Sequence, residues 1–330
     1  MRILITGGAG FIGARLAKHL LESGSEVIVI DNLNDYYDPK IKKSNIKELS
    51  EFPEFKFYKG DIRSIADIES IFQQQKIDMV VHLAAMAGVR PSIQDPKLYY
   101  DVNINGTLNI LETMRKYSCK KMIFGSSSSV YGNNKEVPFS EEHPVDHPIS
   151  PYAATKKSGE LLCYNYHHLY NFDIFCLRFF SVYGPGQRPE MAIAKFTKAI
   201  FNGDDIPMYG DGSSERDYTY VADIIQGITL SMSKLRGYDV INLGESSTIS
   251  LKALITLIEK HCGQSAHIEK LPMQAGDVMI TYADINKASR RLGYKPTTDI
   301  DSGIAQYVKW FKKHRLPDLS RSKTKIKHVK

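Results

Sequence analysis

Tyr152 and Lys156, in the stretch "SPYAATK", stand four residues apart, a spacing that puts two side chains on one face of a helix. A phenol beside an ammonium is a proton-transfer pair, because the cation favours the phenolate and lets tyrosine act as a base. The spacing alone selects nothing, since Tyr36/Lys40, Tyr117/Lys121 and Tyr131/Lys135 share it. Pro39 interrupts the first of these, Gly132-Asn133-Asn134 makes the third a loop, and the second falls across a break between a helix and a strand. Only Tyr152/Lys156 opens a long helical pattern, with Pro151 near its first turn. An ordinary tyrosine titrates near 10, so using it as a base at neutrality takes roughly 4 kcal/mol of differential stabilisation.

A second chemical signal is "GSSSSVYG", residues 125–132, directly after the apolar run Met122-Ile123-Phe124. Serine packs poorly and its hydroxyl needs a partner once it leaves water. Serines closing a buried strand therefore face something polar, and a hydroxyl there can share the path of a tyrosine's proton.

The third signal is "TGGAGFIG", residues 6–13. Gly8-x-Gly10-x-x-Gly13 and Gly7-x-x-Gly10-x-x-Gly13 both fit a dinucleotide turn, and the run follows a strand and opens an amphipathic helix, as that motif requires. Glycines let the backbone approach a pyrophosphate while the helix N-terminus offers N–H donors. The next strand, Val27-Ile28-Val29-Ile30, ends in Asp31. An acid there accepts from both ribose hydroxyls and repels a 2′-phosphate, which favours NAD over NADP. Asp61 in "KGDIR" is placed for the adenine edge. The positive charge of an oxidised nicotinamide, together with Lys156, is then the expected means of lowering the Tyr152 pKa.

These side chains need a frame. Short apolar runs at 2–6, 26–30, 55–59, 78–82, 121–125 and 173–178 alternate with amphipathic stretches at 11–23, 64–75, 97–117 and 151–171. Strands apolar on both faces between helices predict an α/β fold, a doubly wound parallel sheet. "VYGPGQRPE" (182–190) and "YGDGSSERD" (209–217) read as loops. Residues 239–242 look like another strand, so the chain is expected to revisit the sheet. Further helices are expected near 250–262, 284–292 and 301–314.

Composition sets the outer bounds. The 330 residues are 42% hydrophobic and 24% charged, as in an ordinary globular protein, and no apolar run reaches the roughly 18–20 residues of a membrane span. No signal-peptide pattern precedes the first strand, and Cys119, Cys163, Cys176 and Cys262 show no C-x-x-C spacing, which together predict free thiols and a cytoplasmic location. Much of the net charge of +6 lies in "SRSKTKIKHVK" at the C-terminus. It reads as a solvated terminus, with no nucleic-acid or membrane partner expected. The histidines show no metal-ligand spacing, so no metal is expected.

In this order, "TGGAGFIG", "VHLAAMAGVR", "SSSSVYG" and "SPYAATK" resemble the extended short-chain dehydrogenase/reductase family, specifically its nucleotide-sugar epimerases. The likeness runs on through "LRFFSVYGPGQRPEMA", "GDGSSERDYTYVADI" and "LPMQAGDV". It implies a Rossmann domain over residues 1–181, rejoined by about 218–247. Residues 182–217 and 248–330 would form a smaller C-terminal α/β domain binding the nucleotide sugar. It implies a tightly held NAD that oxidises a sugar at C4, rotation of the ketone, and reduction from the other face. By the family pattern Tyr152 is the base, Lys156 holds the nicotinamide ribose and Ser127 hydrogen-bonds O4. The cofactor would also meet Gly7, Gly10, Phe11, Ile12, Gly13, Asp31, Asn32, Asp61, Ile62, Leu83, Ala84, Ala85 and Asn103. Arg188 and Arg216 would bind the diphosphate, Tyr209 would stack near uracil, and Asp277 would accept a ribose hydroxyl. The family pairs two helices of each subunit across a twofold. Leu98, Tyr99, Ile110, Met114, Leu161, Cys163 and Leu169 are the apolar residues on helices 97–117 and 151–171 expected to supply a homodimer contact.

Within the family, relatives that dehydrate a nucleotide sugar carry Asp-Glu where this chain has Ser128-Ser129, and UDP-xylose synthases carry glutamate at Ser129. A serine there removes the acid–base group and welcomes a carboxylate. "DNLNDYYDPKIKKSNI" (31–46), "AGVRPSI", "GQRPEMAI" and "LPMQAGDV" resemble the UDP-glucuronate 4-epimerases. UDP-galactose 4-epimerases usually have Asn at Ser181 and Arg at Gln274. Gly186 and Ala275 depart from the branch, which commonly has arginine and proline there. The implied activity is C4 epimerisation of a UDP-sugar, with UDP-glucuronate first and Ser129 and Ser181 receiving its carboxylate. UDP-glucose/galactose, the N-acetyl forms, decarboxylation and a non-catalytic NAD-binding regulator are the alternatives.

Overall fold

The computed structural model of the chain describes residues 1–272 and 278–316. Six strands follow the apolar runs: β1 (Arg2–Thr6), β2 (Glu26–Asp31), β3 (Phe55–Lys59), β4 (Met79–His82), β5 (Lys121–Ser127) and β6 (Asp173–Phe179). The chain then leaves through β7 (Ser181–Tyr183), β8 (Asp205–Tyr209), β9 (Glu215–Arg216) and β10 (Tyr218–Tyr220), and returns as β11 (Tyr238–Leu243). Strands β12 (Ile249–Ser250), β13 (His267–Leu271) and β14 (Ile280–Thr281) complete it. Seven strands form one parallel sheet in the order β11-β6-β5-β4-β1-β2-β3. Strand order reverses at β1/β4, and a crevice opens there at the carboxyl ends of the strands.

The helices are α1 (Phe11–Glu22), α2 (Pro39–Leu49), α3 (Ile65–Gln74), α4 (Val89–Gln94), α5 (Pro96–Tyr100), α6 (Gly106–Lys116), α7 (Pro151–Tyr170), α8 (Ala192–Asn202), α9 (Val221–Ser233), α10 (Leu251–Cys262), α11 (Asn286–Leu292) and α12 (Ile300–His314). Alternate residues of the strands face two cores. Ile3, Ile5, Val27 and Val29 pack under α1, α9 and α11. Leu4, Ile28, Val80 and Met122 pack under α3, α6 and α7. This two-sided burial is why the strands read as apolar runs rather than alternating ones. A third core, around Ile193, Ile206, Leu254 and Ile304, joins α8, α10 and α12 to β8. No helix among the described residues is long and apolar enough to cross a membrane.

Two expectations are corrected. The stretch 97–117 is not one regular helix: α5 and α6 are joined by a wide π-type turn, Asp101–Asn105. That turn swings Asn103 towards β4, and Gly106 lets the helix close on Ile62, whose Cδ1 lies 2.6 Å from where a side chain would begin. Of the residues expected to be spare for a subunit contact, Tyr99, Ile110, Met114 and Cys163 are buried in the protomer, and Leu98 is half-buried. Leu161, Tyr164 and Leu169 are more than half exposed, and Tyr100 and Leu108 are exposed to a lesser degree.

Candidate active site

A cavity of about 470 Å³ opens at the carboxyl ends of β1, β2, β4 and β5. The glycine turn forms one wall. Gly7 holds φ +70°, and a Cβ on it would lie 2.7 Å from the Ala84 nitrogen; one on Gly13 would lie 2.5 Å from the Gly7 carbonyl oxygen. The backbone is thus drawn in close enough to leave the N-terminus of α1 open to the cavity. Phe11 and Ile12 line it from that helix, and Leu83, Ala84 and Ala85 from the end of β4. The Ala84 N–H donates to Thr6 Oγ1 at 3.1 Å.

Asp31 and Asp61 face the same cavity. Asp31 accepts from the backbone of Ala9 (3.2 Å) and Leu33 (2.8 Å), which ties the end of β2 to the glycine turn. Asp61 accepts from Arg63 Nη2 (2.8 Å) and Asn32 Nδ2 (2.9 Å). The Arg63 hydrogen bond leads in holding the Asp61 carboxyl down to about 2, so it is ionised and acceptor-only at neutrality. Ile62 lies beside it. A glycine turn at a helix N-terminus, an acid ending the next strand and a second acid beyond it form a donor–acceptor set that fits a dinucleotide.

Asn103 does not line this cavity. It is buried behind the wall, accepting from the Met86 N–H (2.8 Å) and donating to the Met86 carbonyl (3.0 Å) and Thr155 Oγ1 (2.9 Å). It fixes the loop after β4 to the helix carrying Tyr152.

Helix α7 starts cleanly because Ser150 Oγ accepts from the Ala153 N–H and Pro151 occupies the first turn. Tyr152 and Lys156 then point into the cavity with Ser127, Ser128 and Ser129. The Ser127 and Ser129 hydroxyl oxygens are 3.1 Å apart, and Ser127 hydrogen-bonds Tyr152. Burial raises the Tyr152 pKa above its ordinary value, and the Ser127 bond pulls it down. The Arg188 charge also lowers it. Lys156 Nζ donates to the Gly125 carbonyl at 2.7 Å, and burial brings its own pKa down to about 8.

The fourth serine faces away. Ser126 Oγ donates to Glu160 Oε1 (2.7 Å), and Glu160 also accepts from Arg178 Nε (2.8 Å) and Nη2 (2.9 Å). Arg178 Nη1 reaches the Tyr131 hydroxyl (3.0 Å), which donates to Asn242 Oδ1 (2.7 Å). This buried network pins β5, the turn Ser128–Tyr131, α7 and β6 to one another. Nothing in the spacing of Glu160 and Arg178 signalled it; an acid and an arginine set among apolar residues were the one available cue.

Ser181 and Arg188 line the same cavity, whereas Tyr209 and Arg216 lie in a second cleft of about 230 Å³. Arg188 and Arg216 thus line two different clefts. Glu190 holds Arg188 Nε at 3.1 Å, and its guanidinium lies over the Tyr36 ring, beside the cavity. Arg216 Nη1 donates to the Glu215 and Met279 carbonyls in the other cleft. Arg90, Lys195 and Tyr218 line that cleft too, and Arg90 sits 4.7 Å from the centre of the Tyr209 ring. Arg90 was visible in "AGVRPSI" but carried no role. Asp277 lies outside the described residues, as do Gln274 and Ala275. Gly186, at φ +87°, leaves space filled by the Arg15 guanidinium, 2.8 Å from where a side chain would begin. No cluster able to hold a metal occurs among the described residues.

Against known proteins, the family model described as GDP-mannose 4,6-dehydratase matches residues 4–307. UDP-glucuronate 4-epimerase of Thermodesulfobacterium geofontis is 45% identical over 94% of this chain and 96% of its own length. UDP-glucuronic acid 4-epimerase from Bacillus cereus, solved with UDP-glucuronic acid and NAD, aligns with a TM-score of 0.89 at 37% identity, over 95% of this chain and 99% of that one. UDP-glucose 4-epimerase from Thermotoga maritima, solved with UDP-glucose, gives a TM-score of 0.88 at 35% identity, covering 95% and 99%. With its parallel sheet, glycine turn and Tyr152/Lys156 helix in the same order, the chain belongs to the GDP-mannose 4,6-dehydratase family of extended short-chain dehydrogenases/reductases.

Proposed function

We infer that this chain is an NAD-dependent UDP-sugar 4-epimerase, and within that class we propose UDP-glucuronate as its substrate and UDP-galacturonate as its product. NAD supplies a hydride acceptor, later a donor, and a positive ring charge. Gly7, Gly10, Gly13 and the N-terminus of α1 would hold its pyrophosphate, Asp31 a ribose, Asp61 the adenine side and Lys156 the nicotinamide ribose. Tyr152 takes the proton from O4 and gives it back, with Ser127 sharing that hydrogen bond. Arg216, Tyr209 and Arg90 bind the nucleotide end from the second cleft. Residues 1–181 and about 218–247 serve the cofactor in this reading, and 182–217 with 248–330 serve the sugar nucleotide.

One observation carries the choice of sugar. Ser127 and Ser129, 3.1 Å apart, share the cavity with Ser128 and Ser181, and the carboxylates among its described lining residues are Asp31 and Asp61, at the other end. Neutral donors accommodate a substrate carboxylate where an acid would repel it. The same absence leaves no group at Ser128-Ser129 to protonate a leaving hydroxyl, so the dehydratase in the family's description is not the activity inferred. Incubating the purified chain with UDP-glucuronate, UDP-glucose and UDP-N-acetylglucosamine separately, and resolving the products, tests the reading. UDP-galacturonate as the fastest-formed product is expected; a preference for UDP-glucose would overturn the carboxylate assignment.

The assembly in this reading is a cytoplasmic homodimer. Leu161, Tyr164 and Leu169 on α7 and Tyr100 and Leu108 beside it expose large apolar side chains, which a twofold pairing of these helices would cover.

A further inference from the structure

The connection between β2 and α2, residues 32–38, contains two adjacent tyrosines and lines the 470 Å³ cavity through Asn32, Asn34, Tyr36 and Tyr37. Its backbone has no strand partner, and side chains take that role. Asp31 Oδ1 accepts from the Leu33 N–H (2.8 Å), Asn32 Oδ1 from that of Asn34 (3.0 Å), and Asp38 Oδ1 from that of Lys40 (2.9 Å). Asn34 Oδ1 accepts from Lys42 Nζ at 2.8 Å. Such local side-chain to backbone bonds specify a loop's shape in advance.

From this frame Tyr36 reaches out and donates its hydroxyl to the Ala87 carbonyl, 2.8 Å away. Ala87 follows β4, whereas Tyr36 follows β2, and β1 lies between those two strands. The bond therefore spans the end of β1 and passes across the glycine turn. The Tyr37 hydroxyl comes within 3.9 Å of where a side chain on Gly10 would begin, and Lys42 Nζ lies 5.2 Å from the centre of the Tyr37 ring. Gly88 makes room for the crossing. It holds φ +101°, and a Cβ on it would lie 2.9 Å from the Tyr36 hydroxyl. Tyr99, from α5 on the β4 side, donates to the same Ala87 carbonyl at 2.7 Å.

We propose that residues 32–38 form a strap that retains the dinucleotide in its cavity, closed by the hydrogen bond from Tyr36 to Ala87. The proposal rests on the epimerase reading. An epimerase returns to the sugar the hydride it removed, so a turnover consumes no NAD and needs no exchange of it. A dehydrogenase must let its cofactor go each cycle, and a bolted strap would oppose that. Here the strap costs the cycle nothing and keeps the site loaded.

The test is the rate at which holoenzyme charged with radiolabelled NAD releases it into an excess of unlabelled NAD. Tyr36→Phe keeps the ring and loses the bolt, and should release NAD roughly 2- to 10-fold faster, the size of one neutral hydrogen bond. Gly88→Ala pushes the bolt open from the other side and should do the same, which keeps the test decisive if one variant folds poorly. Tyr99→Phe removes the other donor to Ala87, a hydroxyl that also meets that of Tyr36, but leaves the Tyr36 bond to Ala87 in place, and should accelerate release less than Tyr36→Phe. Release unchanged in both Tyr36→Phe and Gly88→Ala would overturn the strap. Equal acceleration in Tyr99→Phe would also overturn it, since the shape of the wall after β4 would then be what retains NAD. Turnover of UDP-sugars by the wild type is measured alongside. Its absence would refute the epimerase reading, whereas the ratio of release rates decides the strap.

Discussion

Tyr152 and Lys156 are shifted by the same burial in opposite chemical senses, and both shifts favour the neutral group. Burial raises the phenol and lowers the ammonium to about 8. Within the chain, the Ser127 hydrogen bond and the Arg188 charge oppose the rise of Tyr152. Tyr152→Phe should therefore keep NAD and substrate binding and lose turnover by a factor on the order of 10²–10⁴, the range for a positioned acid–base group; near-normal turnover would place the base elsewhere. Lys156 sets a second expectation. Its ammonium is charged below about 8 and loses that charge as pH rises through this value. NAD affinity should then weaken several-fold between about pH 7 and pH 9, because a charge-assisted bond is stronger than a neutral one. Calorimetric titration across that range would show it, and a flat affinity would remove Lys156 as a ribose ligand. Ser129 tests the sugar. A lost neutral hydrogen bond costs roughly 0.5–1.5 kcal/mol, more when its partner is charged and desolvated. Oxidation at C4 makes a β-keto acid, which loses CO₂ when the breaking bond to its carboxylate stands perpendicular to the ketone plane. Hydroxyls from Ser129 and Ser181 on that carboxylate would hold it out of this alignment. Ser129→Ala should weaken use of UDP-glucuronate more than any use of UDP-glucose, and should release some UDP-pentose. Equal losses on both sugars, read by product chromatography, would count against the carboxylate contact.

The side chains proposed for catalysis are held by pairs of elements, and one buried tie is the ion pair of Glu160 on α7 with Arg178 on β6. Both side chains are at most 3% exposed, and their remaining hydrogen bonds go to Ser126 and Tyr131. Removing Arg178 leaves the buried Glu160 carboxylate with only the partly exposed Lys157 ammonium, 3.9 Å away, and breaking a buried pair costs about 3–5 kcal/mol. Arg178→Met should lower stability to chemical denaturation by that much. Adding Glu160→Gln should recover a good part of it, since no lone charge then remains; no recovery would mean that packing dominates. The same pair shows where sequence reasoning stops. Strands β1 to β6 were legible because burial on both faces leaves an apolar run bounded by turns, and α7 because Pro151 and a long periodic stretch mark its start. Helix α9 was not read, because "VADIIQGITLSM" lies between the sheet and its neighbours and shows little polar face. Helix α2 was missed for the opposite reason: its face is charged nearly all round, and its signal is the Asp38 cap and Pro39. Helix α8 has a clear apolar face through Ile193, Phe196 and Ile200, but it follows a Gly/Pro-rich loop that drew the reading of that region. The cofactor side of the site was legible because its motif is local, a turn, an acid and a Tyr-x-x-x-Lys face. The partition of Arg188 and Arg216 between two cavities was not, because it depends on how β7 to β10 fold back, which no local spacing records.

At the scale of the whole molecule, α7 has two contrasting faces. Its inner face carries Tyr152, Lys156 and Glu160 against β5 and β6; its outer face carries Leu161, Tyr164 and Leu169, each more than half exposed. Exposed leucines scattered singly are ordinary, but three large apolar residues on one helix, beside Tyr100 and Leu108, form a patch. A twofold interface uses such a patch twice, and each buried leucine contributes about 1.5–3 kcal/mol. A charge at its centre would then be buried in both protomers at once. Leu161→Glu should leave the fold intact, because the side chain faces outward, and should halve the mass found by light scattering at micromolar concentration. Its thermal stability should fall with it, since the partner's contribution to holding α7 is lost. A wild type that is already monomeric under these conditions, or a Leu161→Glu variant that keeps the wild-type mass, would mean that these helices do not form the subunit contact.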